Sequence, residues 1–250
     1  MTKPKQVRYQ RSLICHLDLL GFRQLIREKT PGEISKVLRV FSDAVSPKSG
    51  LAVRELNKEQ FVAFSDLHIT VIPTEPKDHS ARGLIFLQVL RLLHAQWILF
   101  FDHGIVVRGG IVVGEAVRSY GRFFGQGIID AYEVESKQAH YPRIVVHPSV
   151  FAEIENNPEV WTHNDAATEM NAVKGLLHHD QENGVYYIDY LRVMREELDF
   201  PEMYGQHLLD FRRRLDKMLS ETIDSGARSK LEWMQRYHRR TAKGAVTKKV

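Results

Sequence analysis

Two aspartates interrupt apolar, β-prone runs: Asp18 in Ser12–Phe22 (SLICHLDLLGF) and Asp66 in Phe61–Ile72 (FVAFSDLHITVI). A carboxylate held among Leu, Ile, Val and Phe carries a large desolvation cost unless a positive charge offsets it. Two such strands side by side bring the carboxylates to a shared cation. Oxygen ligands of this kind select a hard ion, Mg²⁺ or Mn²⁺, whose shell a phosphate-bearing ligand completes. A pair of such ions activates an attacking hydroxyl and stabilises a leaving pyrophosphate. The backbone N–H groups of the Leu19–Phe22 turn can face phosphate oxygens. Without a ligand the same residues read as a helix N-cap (Asp18) and a hairpin turn residue (Asp66), and the pattern leaves both readings open.

The elements that must position this pair follow from periodicity. Ser12–Asp18 is expected to be a strand, followed by a turn at Gly21 that allows close backbone approach. A helix follows, broken near Pro31–Gly32 and resumed with Ile34, Val37, Leu38, Phe41 and Val45 at helical spacing. Leu51–Leu56, Phe61–Ser65 and Leu67–Ile72 read as extended, the last two as a hairpin around Ser65–Asp66. Ser80 is the expected N-cap of a long apolar helix reaching Phe101. The glycines of Gly104–Val117 predict a strand that bends and returns. Tyr120–Gly127 reads as a loop, Ile128–His140 as a helix, Arg143–His147 as a strand, and Phe151–Thr168 as irregular. Ala172–Leu176 and Val185–Tyr190 are expected to be a last strand pair. Beyond Arg192, Tyr204, Leu208, Phe211, Leu215 and Met218 form one helical apolar stripe, and Gly226 separates it from a helix carrying Leu231, Met234 and Tyr237. The fold class predicted is α+β, helices on one face of an antiparallel sheet, with a sheet domain over 1–191 and a helical extension over 192–250.

With 250 residues, 43% hydrophobic and 26% charged, the chain can bury a full core. Its one cysteine, Cys15, excludes a disulfide framework and a thiolate metal cluster. The pairs His16/Asp18 and His178/His179 lack a clear third ligand for zinc. The net charge of +4 is uneven: residues 226–250 carry +7, leaving −3 for the rest. Such a tail reads either as a nucleic-acid or acidic-lipid contact or as a solvated, partly disordered end. MTKPKQVRYQRS has no apolar signal core, and Gln88, Arg91, His94 and Gln96 break the Gly83–Phe101 run into a soluble helix's polar stripe. A cytoplasmic protein with no membrane span is expected.

Four segments in order resemble the class III nucleotidyl cyclase domain: Asp18-Leu-Leu-Gly-Phe22, Phe64-Ser-Asp66, Arg108-Gly-Gly-Ile111-Val-Val-Gly114, and Phe124-Gly125 leading into Ala131 and Glu135. The resemblance spans about Ser12 to Tyr190. It implies a ferredoxin-like core that dimerises head to tail, with active sites at the subunit interface. The implied reaction is attack of a ribose 3′-hydroxyl on the α-phosphate, giving a 3′,5′-cyclic nucleotide and pyrophosphate. It also implies Asp18, Leu19 and Asp66 as ligands of two Mg²⁺ or Mn²⁺ ions, and Leu20, Gly21 and Phe22 as phosphate contacts.

The departures narrow the expectation. Val62 stands where purine cyclases place a base-reading Lys or Glu, and Arg122 where they often place an Asp or Cys. Ile129 and Glu133 replace the Asn and Arg that stabilise the transition state. With both metal aspartates kept and the purine contacts absent, the chain is most similar to the bacterial Pycsar pyrimidine cyclases, which signal to a separate effector in anti-phage defence. That implies UTP as substrate and cyclic UMP as product. Val62 and Arg122 are then the base-binding positions, with Arg122 offering donors to a uracil carbonyl or else simply facing solvent. Lys174 and Arg143 are the candidate substitutes for the missing cation, and Arg108 is expected to be salt-bridged within the sheet. Cyclic CMP synthesis, a purine cyclase and a non-catalytic nucleotide- or nucleic-acid-binding module are the alternatives.

Overall fold

The computed structural model describes residues 7–46, 60–75, 81–119, 122–197 and 201–247. The extended segment expected over 51–56 and the cap expected at position 80 lie outside them. The long β1 (Gln10–Leu19) pairs antiparallel with β3 (Leu67–Pro73) on one side and β4 (Val107–Ser119) on the other. β2 (Gln60–Phe64) forms the hairpin with β3. Beyond β4 lie β6 (Ile144–Val146), β8 (Val185–Ile188) and β7 (Leu177–Asp180), giving the order β2-β3-β1-β4-β6-β8-β7; the short β5 (Arg122–Phe124) pairs with the far end of β4. The β4–β6 pair is parallel, so the α+β sheet is mixed rather than wholly antiparallel.

Strand alternation assigns the two faces of this sheet. Cys15 points to α3 (Leu84–His103), whose Gln88 donates to its sulfur at 3.4 Å. Against α3 packs α2 (Pro31–Val45), which starts at a Thr30–Glu33 capping box and buries Phe41 and Val45; the shorter α1 (Phe22–Glu28) precedes it. Ile14 points the other way, to α4 (Gln126–Glu133), which runs on as a π-turn over Val134–Gln138. Helices therefore cover both faces, not one. α4 sits on almost bare backbone: a Cβ on Gly110 would lie 2.8 Å from Val134, and one on Gly114 would lie 2.7 Å from Gly127. These glycines do not fold β4 back on itself. They leave one continuous 13-residue strand with a helix pressed onto it.

α3 is long and apolar enough to cross a membrane, but 61% of its most apolar window is buried inside this structure. Its polar positions do not form one outer stripe, since Gln88 and Gln96 are buried with the core. α5 (Pro148–Asn156) and α6 (Ala166–Gly175) replace the irregular stretch and one of the two strands expected after Val146; the partner of β8 begins only at Leu177.

α7 (Tyr190–Glu197), α8 (Tyr204–Glu221) and α9 (Ser225–Thr247) form the C-terminal part. Their apolar stripes join the main core: Phe211 packs at a tilt on Phe100 of α3, ring centroids 4.3 Å apart, and Leu215, Leu231, Met234 and Tyr237 are buried. The tail is thus helical through Thr247, and α9 runs across the strand ends. Met234 lines one small cavity with Val106 and Val107 at the start of β4. Trp233 stacks on Tyr141 just before β6, and Arg240 donates to the Tyr187 hydroxyl on β8 at 2.7 Å.

Candidate active site at the carboxylate end of the sheet

Asp18 is the penultimate residue of β1, directly opposite Leu67 on β3 and Arg108 on β4. The hairpin tip Ser65–Asp66 precedes Leu67, and the Asp66 carbonyl accepts the Leu19 N–H at 3.1 Å. The register therefore brings the two sequence-predicted aspartates to adjacent positions on neighbouring strands. Ser65 turns the hairpin at φ 57°, the only positive φ at a non-glycine among the described residues.

The Arg108 guanidinium binds the cluster together. Its Nε donates to Asp18 Oδ2 at 2.9 Å, and its Nη2 pairs with Glu135 Oε1 at 2.6 Å. Burial pushes the Asp18 pKa up; Arg108 opposes this, and the Asp66 charge adds to it. Burial likewise raises Glu135, whose side chain is 4% exposed, against the pull of Arg108. Two buried carboxylates with raised pKa values beside an arginine make this strand end a candidate site. Sequence reasoning placed Arg108 in the sheet but assigned no role to Glu135, and it missed Lys230 of α9, whose ammonium acts electrostatically on Asp18 and Glu135. The one sequence signal for Lys230 is its position four residues before Met234 on the apolar stripe of α9.

These residues fit a hard cation whose coordination a ligand completes. No group of three or more His, Cys, Asp or Glu among the described residues could hold an ion by itself. Mg²⁺ is commonly held by one or two carboxylates plus substrate phosphates, and a cation here would relieve the repulsion between Asp18 and Asp66.

The turn after β1 is less free than expected. The Leu20 N–H donates to the Val106 carbonyl at 2.8 Å, so it is spent on the β1–β4 ladder and is not a phosphate donor. Gly21 is needed for its conformation, φ 83°, since nothing lies within 4 Å of where its Cβ would be. Its N–H and that of Phe22 remain at the start of α1.

Lys174 lies in α6, not in a strand, with its ammonium over the rings of Phe151 and Tyr186 at 5.5 and 5.9 Å. Both rings line a cleft of about 630 Å³ that Arg143, Lys137, His140 and His147 also line. Neither Lys174 nor Arg143 is among the charged groups that act on Asp18. Arg143 is 3% exposed, paired with Asp180 at 2.7 Å, bonded to the Gln138 carbonyl, and surrounded by Tyr141, Tyr187 and Trp233. Its Nη1 and Nη2 are spent on pinning the sheet, and its Nε is buried with no hydrogen-bond partner among the described residues.

Val62 lies on β2 opposite Ile69, near the hairpin tip. Arg122 is exposed on β5, paired with Ser119 at the far end of β4. The strand from Arg108 to Ser119 spans on the order of 30 Å. Val62 and Arg122 of one chain therefore do not share a site. On α4, Ile129 is exposed and Glu133 pairs with Lys137 at 2.9 Å.

No protein-family profile and no curated protein matches the sequence. Among solved structures, the adenylyl cyclase CyaB from P. aeruginosa superposes with a TM-score of 0.51 at 12% identity, over 74% of this chain and 96% of that one. The catalytic core of a rhodopsin-guanylyl cyclase with converted specificity, in complex with ATPαS, superposes with a TM-score of 0.49 at 13% identity, over 73% and 98% of the two chains. The chain has the class III nucleotidyl cyclase fold, with a C-terminal helical part packed onto it.

Proposed function

We propose that the protein is a nucleotidyl cyclase that converts UTP to 3′,5′-cyclic UMP and pyrophosphate, working as a head-to-tail homodimer. The observation that carries this is the position of Asp18 and Asp66 at the ends of neighbouring strands, Asp18 opposite Leu67 and the Asp66 carbonyl bonded to the Leu19 N–H, with the Asp18 pKa raised, on the class III cyclase fold. Asp18, Asp66 and the backbone of Leu19 would hold Mg²⁺ or Mn²⁺, which when bound activates the 3′-hydroxyl and stabilises the departing pyrophosphate. Arg108 fixes the Asp18 carboxylate in place. The N–H groups of Gly21 and Phe22 face the triphosphate. Val62 and Arg122 contact the base from opposite subunits, as their separation within one chain requires.

The exposed apolar side chains support a subunit contact on this face. Phe64 at the hairpin tip, Phe124 on β5, and Ile129 and Tyr132 on α4 are each at least 45% exposed. The resemblance to the Pycsar cyclases extends the proposal to anti-phage signalling through a separate effector that reads the cyclic product.

The test is incubation of the purified protein with Mn²⁺ and each of the four nucleoside triphosphates. Cyclic UMP from UTP, lost in Asp66→Ala, is the expected result. Cyclic CMP or a cyclic purine nucleotide would keep the cyclase and replace the substrate. No cyclic product from any of the four, with both aspartates intact, would leave a non-catalytic binding module.

A further inference from the structure

A residue near the C-terminal end of the sequence is electrostatically coupled to the carboxylate end of the sheet. α9 crosses the ends of β4, β6 and β8 through Met234, Trp233 and Tyr237, and each of these contacts fixes the rotation of the helix. Met234 lines one small cavity together with Val106 and Val107, the residues just before Arg108. Lys230 is one helical turn earlier on the same face, which directs it toward the Arg108 end of β4 and the adjacent end of β1. Its charge interacts electrostatically with Arg108, Asp18, Asp224 and Glu135.

Lys230 is half-buried, yet it makes no ion pair or hydrogen bond among the described residues. It lies on the face of α9 that carries the buried Met234 and Tyr237. An ammonium coupled to these carboxylates but not ion-paired with them can be bridged to them by a ligand. A triphosphate chelated at Asp18 is such a group, because its oxygens accept from a cation that the α4 positions Ile129 and Glu133 do not supply.

We infer that Lys230 is a phosphate-binding residue of the candidate active site, supplied in cis by the C-terminal helix to the triphosphate held at Asp18 and Asp66. This rests on the triphosphate-binding part of the function proposed above. It makes the C-terminal helices part of the site rather than an appendage, and it assigns a role to one cation of the basic tail.

The experiment is calorimetric titration of inorganic tripolyphosphate into the full chain saturated with Mn²⁺, for the native protein, Lys230→Met, Lys230→Arg, and Lys217→Met as a surface-charge control. Lys230→Met keeps the apolar stem and removes the charge. It is expected to weaken tripolyphosphate binding by about 10- to 100-fold, the range for a charged hydrogen bond. Lys230→Arg should stay within a few-fold of native and Lys217→Met should match it, while Mn²⁺ binding alone is not weakened in any of them. Unchanged or tighter tripolyphosphate binding in Lys230→Met, with an unchanged melting temperature, overturns the inference; tighter binding would make Lys230 a plug. If Lys230→Met melts early, Lys230→Gln replaces it in the same titration. Lys230-dependent binding without any cyclic product would uphold the inference and remove the cyclase. Cyclic product made equally well by Lys230→Met would do the reverse.

Discussion

Arg108 and Arg143 stand at the same level of neighbouring strands, since Gly109 pairs with Ile144 and the Gly109 N–H donates to the Arg143 carbonyl. Their surroundings differ completely. Arg143 is enclosed by three aromatic rings and a carbonyl, and its partner Asp180 has a pKa held below the usual range: burial opposes this, but hydrogen bonds from Asn183 and Arg143 prevail. Arg108 is paired twice, yet both of its partners, Asp18 and Glu135, have pKa values raised by burial. One arginine completes a structural knot. The other holds together two buried carboxylates with raised pKa values. Similar residue types at equivalent strand positions therefore serve stability in one place and, on the proposal above, ligand binding in the other.

The largest expected effect separates these roles outright. Arg143→Met leaves Asp180 and the Gln138 carbonyl without their buried partner and should cost about 3–5 kcal/mol of stability, read from urea unfolding. Activity would then be lost only together with the fold. Asp66→Ala should abolish product while the unfolding midpoint stays within experimental scatter. An Asp66 variant that melts as early as the Arg143 variant would erase the distinction.

A smaller effect tests the carboxylates themselves. Asp180→Asn should cost about 1–3 kcal/mol, because the Arg143 guanidinium loses its charged acceptor. Asp18→Asn should cost less than about 1 kcal/mol or even stabilise. Arg108 keeps Glu135, and the repulsion that Asp18 exerts on Glu135 and Asp66 disappears. Equal losses in the two variants would mean that Asp18 is an ordinary structural ion-pair partner.

Much of this contrast was legible in the sequence, and what was not has a common cause. Asp18 and Asp66 stand out because a charge in an apolar strand breaks the pattern of its own neighbourhood, and the hairpin tip follows from strand period and turn residues alone. Lys174 was misplaced because the short Ala-Val-Lys-Gly segment fits a strand as well as the last turn of α6; only the packing of α6 on α5 decides it. Arg143 read as a free cation because its ring enclosure is assembled from Tyr141, Tyr187 and Trp233, the last of which is 90 residues away. Leu20 lost its assigned role to a ladder bond with Val106. Lys230 was hidden among the eight basic residues after Gly226 because nothing local marks which of them the helix turns inward.

The pH dependence of stability offers the finest separation of the two regions, because their carboxylates shift in opposite directions. Asp180 has a folded pKa below its ordinary 3.8, so its contribution is present above that value and is lost as pH falls through the folded pKa. Asp18 and Glu135 have folded pKa values above their ordinary 3.8 and 4.5. In the window above those values the folded chain holds protons that the unfolded chain has released, so stability falls as pH rises until both groups ionise in the folded state. Asp18→Asn should flatten this falling limb and leave the acid limb in place, whereas Asp180→Asn should reduce the acid limb alone. Added Mn²⁺ with tripolyphosphate should restore stability on the upper side of the window, where Asp18 is ionised, and do nothing on the lower side. Melting curves collected across this range would break the comparison if Asp18→Asn and Asp180→Asn altered the same limb.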